Sequence, residues 1–206
     1  KKIQSYELEI ENQNSIQDEA EKIKENRLSH IIVATGILHS ESFGPEKSIK
    51  DINHESMTKV MSVNTIGPSL VGRYFIPLLT KDTKSILAFL SARVRSISDN
   101  KLGGWYSYRA SKTALNQIIK NFSIELKRTN PNAIVLGLQP GTVDSNLSEP
   151  FKKNVAKGKL RWRPTATPPS PSPRRSSRRP PRRRSVRALR AKPTRHRRHS
   201  HARKGK

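Results

Sequence analysis

Along residues 1–160 the apolar positions alternate between two periods. Short apolar runs at residues 30–34, 85–90 and 133–138 predict strands, the first closed by Gly36 and the last leading into Pro140-Gly141. Residues 6–10 read as a further short strand. Between these runs apolar residues recur at spacings of three and four, and Ser15-x-x-Asp18 has the form of a capping box that opens a helix reaching about residue 27. A longer helical stretch covers about 54–79, with Val60, Met61, Val63, Ile66, Leu70 and Val71 in phase and Pro68 placed to kink or divide it. Residues 105–127 carry Ala110, Ala114, Leu115, Ile118, Ile119, Phe122 and Leu126 on one face. The order β-α-β-α-β-α-β predicts an α/β fold in which a parallel sheet is covered by helices on both faces.

The pattern stops near residue 160, and the charge changes with it. The 206 residues hold 41 Lys and Arg against 16 Asp and Glu, a net of +25. The last acid is Glu149, and residues 161–206 contain 15 Arg and 3 Lys, which leaves residues 1–160 a net of +7. Eight of the 14 prolines fall in this tail, and its sizeable apolar residues are Trp162, Val186 and Leu189. Such a segment cannot bury enough apolar surface to offset chain entropy, so the expectation is an ordered domain over 1–160 and a disordered Arg/Pro/Ser-rich tail over 161–206. Three readings of the tail stay open: nonspecific nucleic-acid binding by counterion release, a solvated tail, or out-of-frame sequence after Leu160. Trp162 is the one aromatic available to stack on bases, which argues against base-specific contacts.

Other classes are excluded more simply. The chain has no cysteine, so neither disulfides nor thiolate metal sites are available, and His196, His199 and His201 offer at most adventitious metal binding. No metal site is predicted. No run approaches the ~18 apolar residues that a membrane span needs, and the N-terminus is polar rather than signal-like. The expected location is the cytoplasm.

Tyr108-Arg109-Ala110-Ser111-Lys112 falls on the helix predicted to begin near residue 105. A spacing of four puts Tyr108 and Lys112 on one face, where an ammonium beside a phenol lowers the phenol's pKa toward the range of proton exchange with a carbonyl or alcohol oxygen. The plainer reading is a surface Tyr and Lys near a helix start. The context weighs against it, because in a parallel sheet the carboxyl ends of all strands open on one edge, where ligands bind. Leu90-Ser91-Ala92 and Pro140-Gly141-Thr142-Val143-Asp144-Ser145 end two strands, and both should converge there with Tyr108.

Together with Ala34-Thr35-Gly36-Ile37-Leu38-His39, Val63-Asn64-Thr65-Ile66-Gly67-Pro68, Leu90-Ser91-Ala92-Arg93-Val94, Gly103-Gly104-Trp105-Tyr106-Ser107-Tyr108, Ala114-Leu115-Asn116 and Gln139-Pro140-Gly141, this order resembles the short-chain dehydrogenase/reductase family, in particular its C-factor and Sniffer-like carbonyl reductase branch, over about residues 6–160. The resemblance implies a Rossmann-like doubly wound sheet and an NAD(P)(H)-dependent oxidoreductase that moves hydride between the nicotinamide of NAD or NADP and a small carbonyl or alcohol substrate. It implies Tyr108 as general acid/base, Lys112 as the residue that tunes Tyr108 and holds the nicotinamide ribose, Asn64 as the residue that positions a relay water, and Ser91, with Ser96 in reserve, as the carbonyl-polarising serine. Ala34 and Gly36 match the family's adenine-side loop, and Pro140, Gly141 and Val143 match the loop along the nicotinamide. It also implies a homodimer through helices 54–79 and 105–127.

Three departures qualify this. The family's Ser-Ser-x-x-Gly reads Ser91-Ala92-Arg93-Val94-Arg95, its adenine-side Asn-Ala-Gly reads Ala34-Thr35-Gly36, and the glycine-rich phosphate loop is missing before Gly36. The resemblance therefore enters the family fold at about its third strand, as a domain truncated at its N-terminus, and this polypeptide is expected to be inactive by itself. Residues 145–159, where a substrate loop should follow, leave the substrate unidentified. The competing reading, from another class, is a cationic nucleic-acid-binding protein that acts through residues 161–206.

Overall fold

A computed structural model describes residues 3–149, all within the first of the two units into which the chain divides, Lys1–Pro164 and Thr165–Lys206. The expectations placed on residues 161–206, including Trp162 and the three histidines, lie outside the described residues.

Three parallel strands form the sheet. They are β1 (His30–Val33), β2 (Ser85–Leu90) and β3 (Ala133–Leu138), in the order β1-β2-β3, with His30 opposite Ile86 and Ser85 opposite Ala133. The four helices are α1 (Gln13–Lys22), α2 (His54–Met61), α3 (Gly67–Phe75) and α4 (Tyr106–Thr129). The boundaries of β2 and β3 fall where the apolar runs placed them.

Alternation along the strands sorts side chains by face. Ile31 and Val33, Leu87 and Phe89, and Val135 point to one side, where they meet Val71 of α3, Leu115, Ile119 and Leu126 of α4, and Ile16 of α1 in a single core. Leu87 and Phe89 are fully buried, and the Phe89 and Phe122 rings stack with centroids 6.0 Å apart. The opposite face carries Ile32, Ile134, Leu136 and Leu138, exposed by 63, 43, 38 and 37%. Among the described residues the helices cover one face of the sheet, so the expectation of helices on both faces is met for one layer only.

Two local expectations need correction. Residues 6–10 form no strand: backbone groups there find no ladder partner among the described residues, and Tyr6 and Leu8 stay exposed while Ile10 turns into the core. The first helix opens at Asn12, not Ser15. The Asn12 side chain accepts from the N–H groups of Asn14 and Ser15, and the Ser15 hydroxyl accepts from the Glu9 N–H instead. The expected 54–79 stretch is divided as anticipated near Pro68, but through a wide π-turn at Ser62–Ile66 that precedes α3. No helix among the described residues is long and apolar enough to cross a membrane.

Candidate active site

Parallel strands send the loops after β1, β2 and β3 to one edge, and side-chain bonds tie these loops together. Arg95 donates to the Gln139 side chain (2.9 Å) and the Ala92 carbonyl (3.3 Å), and His39 Nε2 lies 3.2 Å from the Leu147 carbonyl. Helix α4 passes beneath this edge. Its buried face is polar at the N-terminal end, with Ser107, Tyr108, Ser111 and Lys112, and apolar from Leu115 onward. A helix that spends four buried positions on polar groups is placing them for something other than packing.

The π-turn brings Asn64 to this cluster. Asn64 is fully buried, accepts from the Ile37 N–H (2.8 Å), and donates to the Ile37 carbonyl (2.8 Å) and Ser111 Oγ (3.0 Å). Its side chain is thus occupied in clamping the loop after β1 to α4. Ser111 in turn donates to the Tyr108 carbonyl at 2.9 Å. Gly36 closes the group: a Cβ there would lie 3.3 Å from Lys112 Nζ and 3.4 Å from Asn64 Oδ1. The absence of a side chain is what leaves that recess.

Lys112 Nζ donates to the Leu90 carbonyl at 2.9 Å and sits 5.8 Å from the centre of the Tyr108 ring. The expected lowering of the Tyr108 pKa is not found here. The lysine's hydrogen bond goes to Leu90 rather than to the phenol, and burial pushes the Tyr108 phenol up from its ordinary value while bringing Lys112 down to about 8.

Ser91 is buried, and its Oγ accepts from Asn116 Nδ2 at 2.7 Å; Asn116 also donates to the Lys112 carbonyl at 2.7 Å. Ser96, the reserve, is bound within its own turn to Ser98 Oγ and the Asp99 N–H, both at 3.3 Å. Ala34, Pro140 and Gly141 are exposed on the loops after β1 and β3, and Val143 is half-buried, its carbonyl accepting from the Ser148 hydroxyl at 2.6 Å. Asn64, Tyr108, Lys112 and Ser91 are thus linked through Ser111 and Asn116, with Gly36 against Lys112 and Asn64, whereas Ala34, Pro140, Gly141 and Val143 lie on the loops after β1 and β3.

Ser111 and Asn116 join that network without having been singled out, and Glu46 bonds to Ser107 at the start of α4. Ser111 and Asn116 were legible in principle, since they extend the Tyr108 and Lys112 face by spacings of three and four. Glu46 lies in an irregular loop and gives no such signal.

The family model for short chain dehydrogenase matches residues 1–156. The chain is 30% identical over 104 residues to the C-signal of Myxococcus xanthus, which covers 50% of this chain and 61% of that one. Among solved structures, the carbonyl reductase Sniffer of D. melanogaster superposes with a TM-score of 0.61 at 22% identity, over 68% of this chain and 60% of that one. The NADPH-bound carbonyl reductase from chicken fatty liver superposes with a TM-score of 0.58 at 26% identity, over 68% and 58%. The chain thus spans about 60% of the length of the curated relatives it matches.

Proposed function

Because the chain belongs to the short-chain dehydrogenase family, we propose that its α/β part carries the proton-transfer side of an NAD(P)(H)-dependent oxidoreductase acting on a carbonyl or alcohol. The observation that carries this reading is the buried network of Tyr108, Lys112, Asn64 and Ser111 beneath the strand carboxyl ends. A bound nicotinamide would supply or accept the hydride. The NADPH held by the chicken liver relative supports that choice of cofactor, with NAD and NADP both kept open.

The chain's own groups divide the remaining work. The Tyr108 phenol, kept protonated by burial, donates a proton to the developing alkoxide of a reduced carbonyl. Lys112, after its bond to Leu90, has ammonium donors left to hold a ribose hydroxyl and to offset charge on Tyr108 as the proton leaves. The recess at Gly36 beside Lys112 Nζ fits close approach of that ribose. Ser91, whose oxygen already accepts from Asn116, is left to donate its hydroxyl hydrogen to the substrate oxygen. Asn64 acts through the fold of the loop after β1. The pyrophosphate half has no such fit among the described residues, since none of residues 1–35 is a glycine that could form the turn at a helix N-terminus. Ile66 at the end of the π-turn and Ile124 on α4, 53 and 41% exposed, are apolar positions that a homodimer, readable by light scattering, would cover.

In a form of the enzyme that carries a glycine-rich loop, Tyr108→Phe lowers kcat by about 100-fold or more and leaves cofactor affinity within about threefold, because the phenol acts in the chemical step and not in holding the dinucleotide. Steady-state kinetics with a cofactor-binding titration checks this, and near-normal kcat overturns the role of Tyr108.

The second reading is favoured by one observation, the 18 basic residues over 161–206. Duplex DNA binding measured at 50 and 200 mM salt for the full chain and for residues 1–160 separates the two: nonspecific binding through the tail falls steeply with salt and disappears on truncation. Equal affinity in both chains removes the reading.

A further inference from the structure

Helix α4 starts without a cap of its own. Its N-cap, Trp105, is held in the left-handed region at φ 52° and lends no side-chain bond to the first turn. That turn carries Tyr108, and its leading N–H groups need partners. The partner comes from 61 residues away. Both carboxylate oxygens of Glu46 lie 3.3 Å from the Ser107 N–H, the Ser107 hydroxyl donates to Glu46 Oε1, and the Glu46 carbonyl accepts from the Trp105 N–H at 2.6 Å.

We propose that Glu46 is a positioning residue of the active site: it caps α4 from the loop after β1 and thereby fixes the turn on which Tyr108 sits. Four observations converge on it. Glu46 is 5% exposed and Ser107 2%, so the contact is sealed from water. A carboxylate at a helix N-terminus meets the positive end of the helix dipole, which compensates the burial of its charge. Gly104 is in the left-handed region at φ 64°, and a Cβ there would lie 3.2 Å from the Glu46 carbonyl, so the approach of the two segments depends on glycine. Finally, the Trp105 ring meets the Tyr108 ring edge-on with centroids 6.2 Å apart. Glu46 thus holds Trp105 by its backbone and Ser107 by its side chain, and Tyr108 is bracketed between the ring of one and the helical turn of the other.

The catalytic meaning of this contact rests on Tyr108 being the proton donor; the contact itself does not. The test is therefore made without cofactor or turnover, on the full 206-residue chain and its Glu46→Ala, Glu46→Gln and Ser107→Ala variants. Two quantities are read: amide hydrogen exchange along α4, and the phenolate absorbance titration of Tyr108, isolated by difference against Tyr108→Phe. Glu46→Ala is expected to speed exchange at residues 107–109 by about tenfold or more, with residues 115–126 unchanged within about threefold. It is also expected to return the Tyr108 titration toward the ordinary tyrosine range as water enters the turn. Glu46→Gln, whose side-chain carbonyl still accepts from Ser107, restores both. If Glu46→Ala does not fold, Ser107→Ala, which keeps the backbone N–H donor to Glu46 and removes only the hydroxyl, gives a smaller change confined to the same turn. Exchange that rises evenly along α4, or a Tyr108 titration indifferent to Glu46, overturns the proposal. Failure of Tyr108→Phe to lower kcat would sink the proton-donor role while leaving these two readouts intact.

Discussion

Lys112 is a cation held almost out of water, 3% exposed, and its pKa of about 8 expresses the cost of that burial. An unfolded lysine titrates near 10.4, so between pH 8 and about 10.4 the unfolded chain binds more protons than the folded one, and stability rises with pH across that window. The full effect is about 3 kcal/mol, at roughly 1.4 kcal/mol per pKa unit. Tyr108 works in the opposite sense above pH 10, where its raised pKa makes the folded chain the better proton binder. Urea unfolding at pH 7, 8, 9 and 10 should therefore show a rising free energy in the parent chain and a nearly flat one in Lys112→Met. Parallel curves in the two chains would show that burial does not depress Lys112. At this scale the sequence was informative wherever the helical period applied. Tyr108 and Lys112 stand one turn apart on one face, as their spacing required, and Asn64 reaches them because the π-turn directs it inward. The direction of the Tyr108 shift was not legible, because it is set by burial of the phenol, and the Lys112 ammonium that was expected to oppose it bonds to a carbonyl 22 residues away.

Among the elements, the strands with partners were readable and the one without was not. β2 and β3 are short apolar runs built around Ile86, Leu87 and Phe89 and around Ile134, Val135 and Leu136, and each has a neighbour to complete its ladder. Residues 6–10 have the composition of a strand, but strand formation is a non-local event, and no described segment lies alongside to accept their hydrogen bonds. The start of α1 was misplaced for a different reason. Asn12 and Ser15 are both competent caps, and the choice between them was made by Ser15 bonding back to Glu9. The two faces of the sheet give the clearest energetic contrast. Leu87 is fully buried against α4, whereas Leu136 on the open face is 38% exposed. Leu87→Ala should cost about 2–5 kcal/mol, and Leu136→Thr, which leaves no cavity, about 0.5 kcal/mol or less. Chemical denaturation of the two variants measures both. A large loss for Leu136→Thr would mean that this face is covered in solution.

At the scale of the 206 residues the question is what the proposed proton-transfer network does beside a stretch in which no glycine precedes Gly36. The loops that converge on Tyr108 bring Lys112 Nζ beside Gly36, the place proposed to hold a ribose, but dinucleotide affinity in this fold draws on backbone N–H groups of a glycine turn at a helix N-terminus. None precedes Gly36. A contact worth 1.4 kcal/mol is a tenfold change in affinity, and a pyrophosphate left in water forgoes several such contacts at once. The open sheet face adds a second consequence. Ile32 on β1 and Ile134, Leu136 and Leu138 on β3 leave apolar side chains exposed on this face, the kind of surface that takes up hydrophobic dyes and promotes association. The purified 206-residue chain is therefore expected to bind an anilinonaphthalene dye with enhanced fluorescence, and to show no saturable change in NADH or NADPH fluorescence up to about 1 mM, which limits its binding free energy to about 4 kcal/mol. The two measurements must be made on the same preparation, with near-ultraviolet circular dichroism beside them, since dye binding with intact far-ultraviolet helicity is shared by molten globules and only retained near-ultraviolet signal establishes native packing. Saturable micromolar NADPH binding by such a preparation would mean that Lys112, Gly36 and the loop at Pro140 hold the dinucleotide without a glycine turn, and that the pyrophosphate finds its donors elsewhere in this chain.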